Sequence, residues 1–365
     1  MIGLIELKRR KLQFALIGSV VTLISYLVLM ISGLGVGLNR LAGSALLNFD
    51  ADAIAYSDTS GLSVIRSEIA QETVDAASSA PGVTDAAPLG YVAANYADED
   101  GDINSAAFLG YDPGTIGEPP VTAGRALTAD DRYGMLADKS FLKASGFKVG
   151  DKVTVDVRLV RQEFTVLGEI DEGAFFFQPA VYLLRPTWRE LKYGETAGSP
   201  VASIVLLKGE NLLGERDGYE AVGKSTAFKN IEGVSGQQST VVSLQVFGYV
   251  IGAMVIGVFF YVLTLQKVPN IGVLKAIGAS NGFVFRQILV QVVVVSVAGL
   301  LLSVPLALLT DRALGTLPES VPIAFTNGTI VTTCLLLLVT AIVGAAFSAR
   351  QVVKVDPIIA LGQQQ

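Results

Sequence analysis

Apolar residues gather in four runs: Phe14 to about Leu38, Leu244–Leu265, roughly Val284–Leu309, and Ile330–Phe347. Each is long enough to cross about 30 Å of hydrocarbon as a helix. The pattern predicts transmembrane helices over residues 13–38, 243–266, 282–310 and 329–349, with Pro305 expected to kink the third near its outer end. The first run follows a basic cluster, Lys8, Arg9, Arg10 and Lys11. A cleaved signal peptide begins in the same way, but its apolar core is only about 7–15 residues long. This segment reads as a retained first helix.

Between the first two runs, residues 39–242 change rhythm and read as an exported domain. Residues 61–80 predict a helix packed by Leu62, Ile65 and Ile69. Residues 81–120, rich in Gly, Pro and Asp, predict strand and loop. From Val121 the order is a turn, a short helix ending at Gly146, a hairpin turn at Gly150-Asp151, and alternating strands Lys152–Leu159 and Glu163–Ile170. Residues 201–209 predict a further strand that returns the chain toward the membrane. A second outer loop covers residues 311–328. Segments 1–12, 267–281 and 350–365 flank the spans on the other side.

The short segment Lys267–Asn281, KVPNIGVLKAIGASN, lies between two spans and is cationic and amphipathic. Asn270 after Pro269 is a candidate N-cap, and Gly278 a left-handed stop. Ile271, Leu274 and Ile277 share one face at helical spacing. The pattern fits two readings: an ordinary charged hairpin between spans, or a small rigid foot able to receive a push from another protein.

Charge orients the chain. Residues 39–240 hold 17 Lys+Arg against 29 Asp+Glu, a net of −12, which leaves +6 elsewhere because the whole chain carries −6. Lys267, Lys275, Arg286, Arg350 and Lys354 join the N-terminal cluster on one side of the spans, opposed only by Glu6 and Asp356. By the positive-inside rule both termini and residues 267–281 are cytoplasmic and the acidic domain is outside the cell membrane. With pI near 4.9 and no basic run beyond the N-terminus, no nucleic-acid partner is expected. There is no histidine, so the commonest metal ligand and general base are both missing. The single cysteine, Cys334, sits in an apolar run, where it reads as core, and it cannot form an intramolecular disulfide.

One nucleotide motif is present and is rejected. Gly218 to Ser225, GYEAVGKS, fits G-x-x-x-x-G-K-[ST]. The residues before it, LLGERD, are charged and turn-like, no apolar run ending in Asp follows, and the topology places it outside. It reads as a surface loop, so the chain is not expected to hydrolyse ATP.

The segment IGVLKAIGAS resembles the coupling-helix motif of the FtsX/MacB superfamily of ABC-transporter permeases. The closing Arg350, Asp356-Pro357 and Leu361 are similar to that superfamily's R…DP…L ending, and residues 121–170 resemble its extracytoplasmic core domain more loosely. The resemblance implies a membrane α-helical fold of four transmembrane helices with an extracytoplasmic α+β MacB-like domain after the first. It also implies a homodimer driven by two copies of a separate ABC ATPase, with Asn270, Ile271, Leu274, Lys275, Ile277 and Gly278 in the coupling segment. The family motif carries an acidic residue where Asn270 stands, so no ion pair to the ATPase is implied there.

Superfamily members release lipoproteins, export macrolides or peptides, activate cell-wall hydrolases or export haem. The KRRKLQFALIGSVVTLISYLVLMISGL opening and the LTLQK…GVLKAIG junction look most like the haem-exporter (HrtB-type) branch. That resemblance implies haem as a transported substrate, no intrinsic cofactor, and no metal other than haem iron. Ferric haem needs axial ligands, and without histidine Met, Tyr, Cys or Glu remain. Tyr26 and Met30 share a face of the first helix. Counting from Phe14 at about 1.5 Å per residue puts Met30 in the outer half of the bilayer. Tyr249 and Met254 lie in the outer half of the second span, and Glu210 follows the strand that ends at residue 209. Packing and interface anchoring are the competing roles for these residues. Gly33, Gly35 and Gly37 would let helices approach closely, or loosen the membrane exit. The alternative function is mechanotransmission: passing ATPase motion to an external enzyme, lipoprotein or other hydrophobic substrate without haem transport.

Overall fold

The computed structural model describes residues 11–157, 160–194, 197–314 and 321–353. The chain divides into two compact units, residues 38–238 and residues 1–37 with 239–365.

Helix α1 spans Lys11–Asn48, so it continues well past the expected end of the first span. At 1.5 Å per residue it is about 57 Å long, nearly twice the hydrocarbon thickness. Its last turns carry good helix formers, and Ala42, Ala45 and Leu46 are fully buried in the core of the 38–238 unit. The helix is interrupted at Gly43.

The 38–238 unit is an α+β domain. Its elements are β1 (Ala53–Ser57), α2 (Gln71–Ser78), β2 (Val83–Ala97), β3 (Ile103–Tyr111), β4 (Val121–Gly124), β5 (Gly134–Asp138), α3 (Lys139–Ser145), β6 (Lys152–Val157) and β7 (Val160–Ile170). They are followed by β8 (Ala174–Phe175), β9 (Gln178–Leu184), α4 (Arg185–Tyr193), β10 (Ile204–Gly209), β11 (Gly214–Arg216), β12 (Tyr219–Gly223) and α5 (Lys224–Lys229). The strands order as β11-β12-β1-β10-β2-β3-β9-β5-β7-β4, with β6 bridging β2 and β7 and β8 on β9. β3–β9 and β5–β7 are parallel pairs, and the other described pairs are antiparallel.

Tyr56, Leu89, Leu109, Leu136, Tyr182 and Phe228 belong to one core face, while Phe108, Phe141, Val153 and Phe164 fill another. The single tryptophan, Trp188 on α4, is fully buried over Gly90 and Gly110, which face each other across β2 and β3. A Cβ at Gly90 would stand 2.1 Å from the indole, so only glycine admits the ring.

Four expectations change here. The helix over 61–80 is real only for Gln71–Ser78. Residues 61–70 are turns, because serines offer the backbone alternative partners: Ser67 Oγ accepts from Ser57 N and Ser63 Oγ from Arg66 N. Ile69 bridges Ala202 instead of lining a helix, and Ile65 is exposed. The expected turn before the short helix contains two strands, β4 and the fully buried β5. Gly150-Asp151 leads into β6 but joins no hairpin, since the hairpin partner of β6 is β7. Strand β10 is followed by β11, β12 and α5 before the chain reaches the second long helix.

The other unit holds the rest of the helices: α6 (Val234–Leu265), α7 (Val268–Ala276), α8 (Asn281–Leu314) and α9 (Asn327–Val353). The long helices α1, α6, α8 and α9 are apolar and long enough to cross a membrane. Phe14, Ile17, Val21, Ile256, Phe260, Val292 and Ala345 are buried among them, while Leu23, Leu27, Ile251, Val258, Leu301, Val339 and Val343 face outward. Apolar side chains inside and outside alike mark a bundle solvated by lipid. α8 runs on through Pro305 as one helix. Gly35 packs on Val241 of α6, whereas Gly33 and Gly37 receive the 322–325 segment. A Cβ at Gly37 would meet the Pro322 carbonyl oxygen at 1.9 Å, and Ala324 N donates to Gly33 O at 3.0 Å.

Candidate functional site

The segment between the second and third spans is a helix, α7. It begins at Val268 with Lys267 as its N-cap and Pro269 in the first turn, so Asn270 lies inside the helix and is not its cap. Proline is tolerated there because the first-turn N–H groups have no intrahelical partner. Gly278 adopts φ 100°, just past the helix end. The expected common face of Ile271 and Ile277 divides. Ile271 packs against the bundle core, while Ile277, now the C-cap, is 81% exposed beside the exposed Val273. Lys275 is half-buried and Gly278 exposed. The side chains of Asn270 and Leu274 lie outside the described residues, as do Lys8–Arg10, Glu6, Lys354, Asp356, Pro357 and Leu361.

The joint between α6 and α7 is tied to α1. Gln13 Nε2 donates to Gln266 Oε1 at 3.0 Å. Lys267 is buried, with its Nζ 3.0 Å from Gln291 Oε1 on α8 and 5.6 Å from the Phe14 ring centroid. In the sequence Lys267 is one positive charge among several, since hydropathy says nothing of where a lysine points.

Of the four cargo candidates, Tyr26, Met30 and Tyr249 lie on the spans and Glu210 in the 38–238 unit. The Tyr26 hydroxyl lies 3.1 Å from Thr310 Oγ1 of α8. Met30, one turn on, is half-buried. Tyr249 packs with Val28, Leu300 and Leu337. Val28 stands two residues from both Tyr26 and Met30, about 160° round the helix, so the cluster against which Tyr249 packs meets α1 on the face opposite those two. Glu210 is exposed at the end of β10 in the other unit, its N–H donating to Gly82 O at 3.0 Å. Cys334 is partly buried against the Val28 cluster.

The Walker-like segment is strand β12 followed by α5, a six-residue helix that caps with Gly223. Lys224 Nζ donates to Leu47 O at 3.1 Å and Phe49 O at 3.0 Å. The lysine therefore caps the C-terminal end of α1, where the carbonyls lack intrahelical partners. Two further carbonyls of α1, Leu41 O and Ala42 O, accept from Phe177 N and Phe176 N, the turn residues of the β8–β9 hairpin, at 2.8 and 2.9 Å. Both phenylalanines have positive φ, 52° and 61°, a conformation that aromatic residues rarely adopt.

Elsewhere in the 38–238 unit, Arg125 holds Asp131 through both guanidinium nitrogens at 2.6 Å. That ion pair, with help from Thr128 N and Oγ1, keeps the Asp131 carboxyl well below the usual range. Burial, and secondarily the Glu232 carboxylate, push the Tyr91 hydroxyl up to about 12. Among the described residues no group of three or more Cys, Asp or Glu is placed to hold a metal ion.

Residues 242–357, which include α7 and most of the spans on either side of it, match the FtsX-like permease C-terminal family. The chain therefore carries an FtsX-like permease domain. Over 98% of its length and 97% of the relative's, the permease is 24% identical to a protein of Staphylococcus haemolyticus whose name makes it a candidate hemin transport system permease, HrtB. It is 25% identical, over the same shares of both chains, to an uncharacterised ABC transporter permease of Mycobacterium tuberculosis. Against the periplasmic region of MacB from Actinobacillus actinomycetemcomitans the TM-score is 0.36 at 15% identity, covering 51% of the permease and 94% of that structure. That likeness is too slight to bear on the fold, which rests on the strand pairings and helices above.

Proposed function

We propose that the permease is the membrane subunit of an ATP-driven efflux complex, in which two copies of this chain and two ATPase subunits export haem drawn from the membrane. The observation that carries the cargo is the near full-length similarity to the candidate hemin permease. ATP hydrolysis belongs to the separate chain, and this reading draws support from the use of Lys224 as a helix cap. The α7 foot, with Val273 and Ile277 exposed, offers the apolar patch that a partner would cover. In this reading α7 is cytoplasmic, with both termini on the same side, and residues 38–238 are outside.

The haem site of this reading lies at a two-fold interface, where each candidate ligand is present twice. Met30 supplies a soft sulfur ligand and Glu210 a carboxylate, with Tyr26 and Tyr249 as flanking groups. Haemin titrated into the purified permease dimer is expected to show a shifted Soret band that is lost in Met30→Ala or Glu210→Ala. An unshifted band in the unsubstituted protein would exclude the cargo and favour mechanotransmission to an external partner. A shifted band retained by both variants would exclude those two ligands.

A further inference from the structure

Lys267 stands where a span becomes the foot: α6 ends at Leu265 and α7 begins at Val268. A lysine at such a boundary ordinarily runs its stem along apolar surface and keeps the ammonium in water. This one is only 9% exposed. Its Nζ reaches Gln291, itself 4% exposed and ten residues into α8, about 15 Å from that helix's start. Arg286, five residues nearer the start of α8, is exposed. The ammonium is thus drawn inward past the neighbouring cation. It is stabilised there by the Gln291 amide oxygen and by the face of Phe14 on α1. A buried cation is costly unless such partners hold it, so it fixes the relative positions of the groups that surround it.

Those groups belong to two elements, α8 and α1, and the residue before adds a second tie to α1: Gln266 accepts from Gln13, next to Phe14. Lys267 N donates to Thr264 O at 3.0 Å, and its carbonyl accepts from Ile271 N at 2.9 Å, so its backbone belongs to both helices of the joint. We propose that Lys267 is a positioning residue that locks the α7 foot to α1 and α8, so that a displacement of the foot moves both spans together. Without the lock, residues 266–267 are a hinge about which the foot turns alone. The inference rests on the reading that α7 receives the stroke of an ATPase.

The test uses the full permease–ATPase complex in lipid nanodiscs with a spin label on the exposed Leu12 of α1. The readouts are capture of the ATPase, ATP hydrolysis, and the change in label spectrum on adding a non-hydrolysable ATP analogue. Lys267→Gln and Gln291→Leu are expected to capture the ATPase and hydrolyse ATP like the unsubstituted complex. Their nucleotide-dependent change at α1 should be about ten-fold smaller, the effect of losing one charge-assisted hydrogen bond. Lys267→Arg should retain the change. If Lys267→Gln does not fold, Gln291→Leu carries the same expectation from the neutral partner. An unaltered spectral change in Gln291→Leu and in any folded Lys267→Gln would overturn the proposal. So would loss of ATPase capture in a correctly folded Lys267→Gln, which would make the residue part of the docking surface. If the unsubstituted permease captures no ATPase, the reading beneath fails, and the inference fails with it.

Discussion

Lys224 offers a sharp trial of structure against motif. As the lysine of a phosphate loop it would bind ATP. In the fold its Nζ donates to Leu47 O and Phe49 O, closing the end of a 38-residue helix. Lys224→Met keeps the stem and removes the charged donor. Two charge-assisted bonds at a half-exposed position, with the favourable placement of a cation at a helix C-terminus, amount to about 2 kcal/mol. For a unit the size of residues 38–238, that corresponds to a fall in Tm of about 4–8 °C. Trp188, the only tryptophan, is fully buried in that unit, so its fluorescence follows the melting. Lys224→Arg should recover most of the loss. A Tm within about 1 °C of the unsubstituted protein, or ATP binding by the permease alone that Lys224→Met abolishes, would refute the capping argument.

Two further outcomes follow from other parts of the molecule. Arg125 depresses the Asp131 carboxyl, so its stabilisation is present above the unfolded value near 3.8 and is lost as pH falls below it. Asp131→Asn should therefore lower Tm at pH 7, and a pH series of melts should show the gap to the unsubstituted protein closing below about pH 4. Ile277 is 81% exposed, so Ile277→Ser should leave Tm unchanged. If a partner buries it, affinity for the ATPase should fall about 30-fold, from about 2 kcal/mol of lost apolar burial, as read by titration calorimetry.

Much of this architecture is written locally. Apolar runs of about twenty residues can only be spans or buried helices, and the helices α1, α6, α8 and α9 fall on them. Gly146 ends α3 with φ 82° and Gly278 follows α7 with φ 100°, where a residue without Cβ meets no penalty. A short helix between α6 and α8 was legible from the helical spacing of Ile271, Leu274 and Ile277 and the stop at Gly278, though that pattern alone left its role open. Its start was not, because Pro269 suits a first turn as well as it suits the residue before a cap. The candidate haem ligands illustrate the limit of helical spacing. It places Tyr26 and Met30 on one face, but cannot say that Thr310 meets Tyr26 or that Tyr249 packs against the cluster of Val28, Leu300 and Leu337.

The sequence by itself determined how many spans there are, how charge divides between the segments that flank them, and that the polar middle folds as strands and short helices. Those properties follow from the period and composition of neighbouring residues. Only the tertiary structure decided that the lysine of a nucleotide-like motif caps α1, and that β5 and β12 are strands. It alone also decided that Lys267 turns inward to Gln291. Each of these depends on residues brought together from distant parts of the chain, and hydropathy carries no record of which partner will be there.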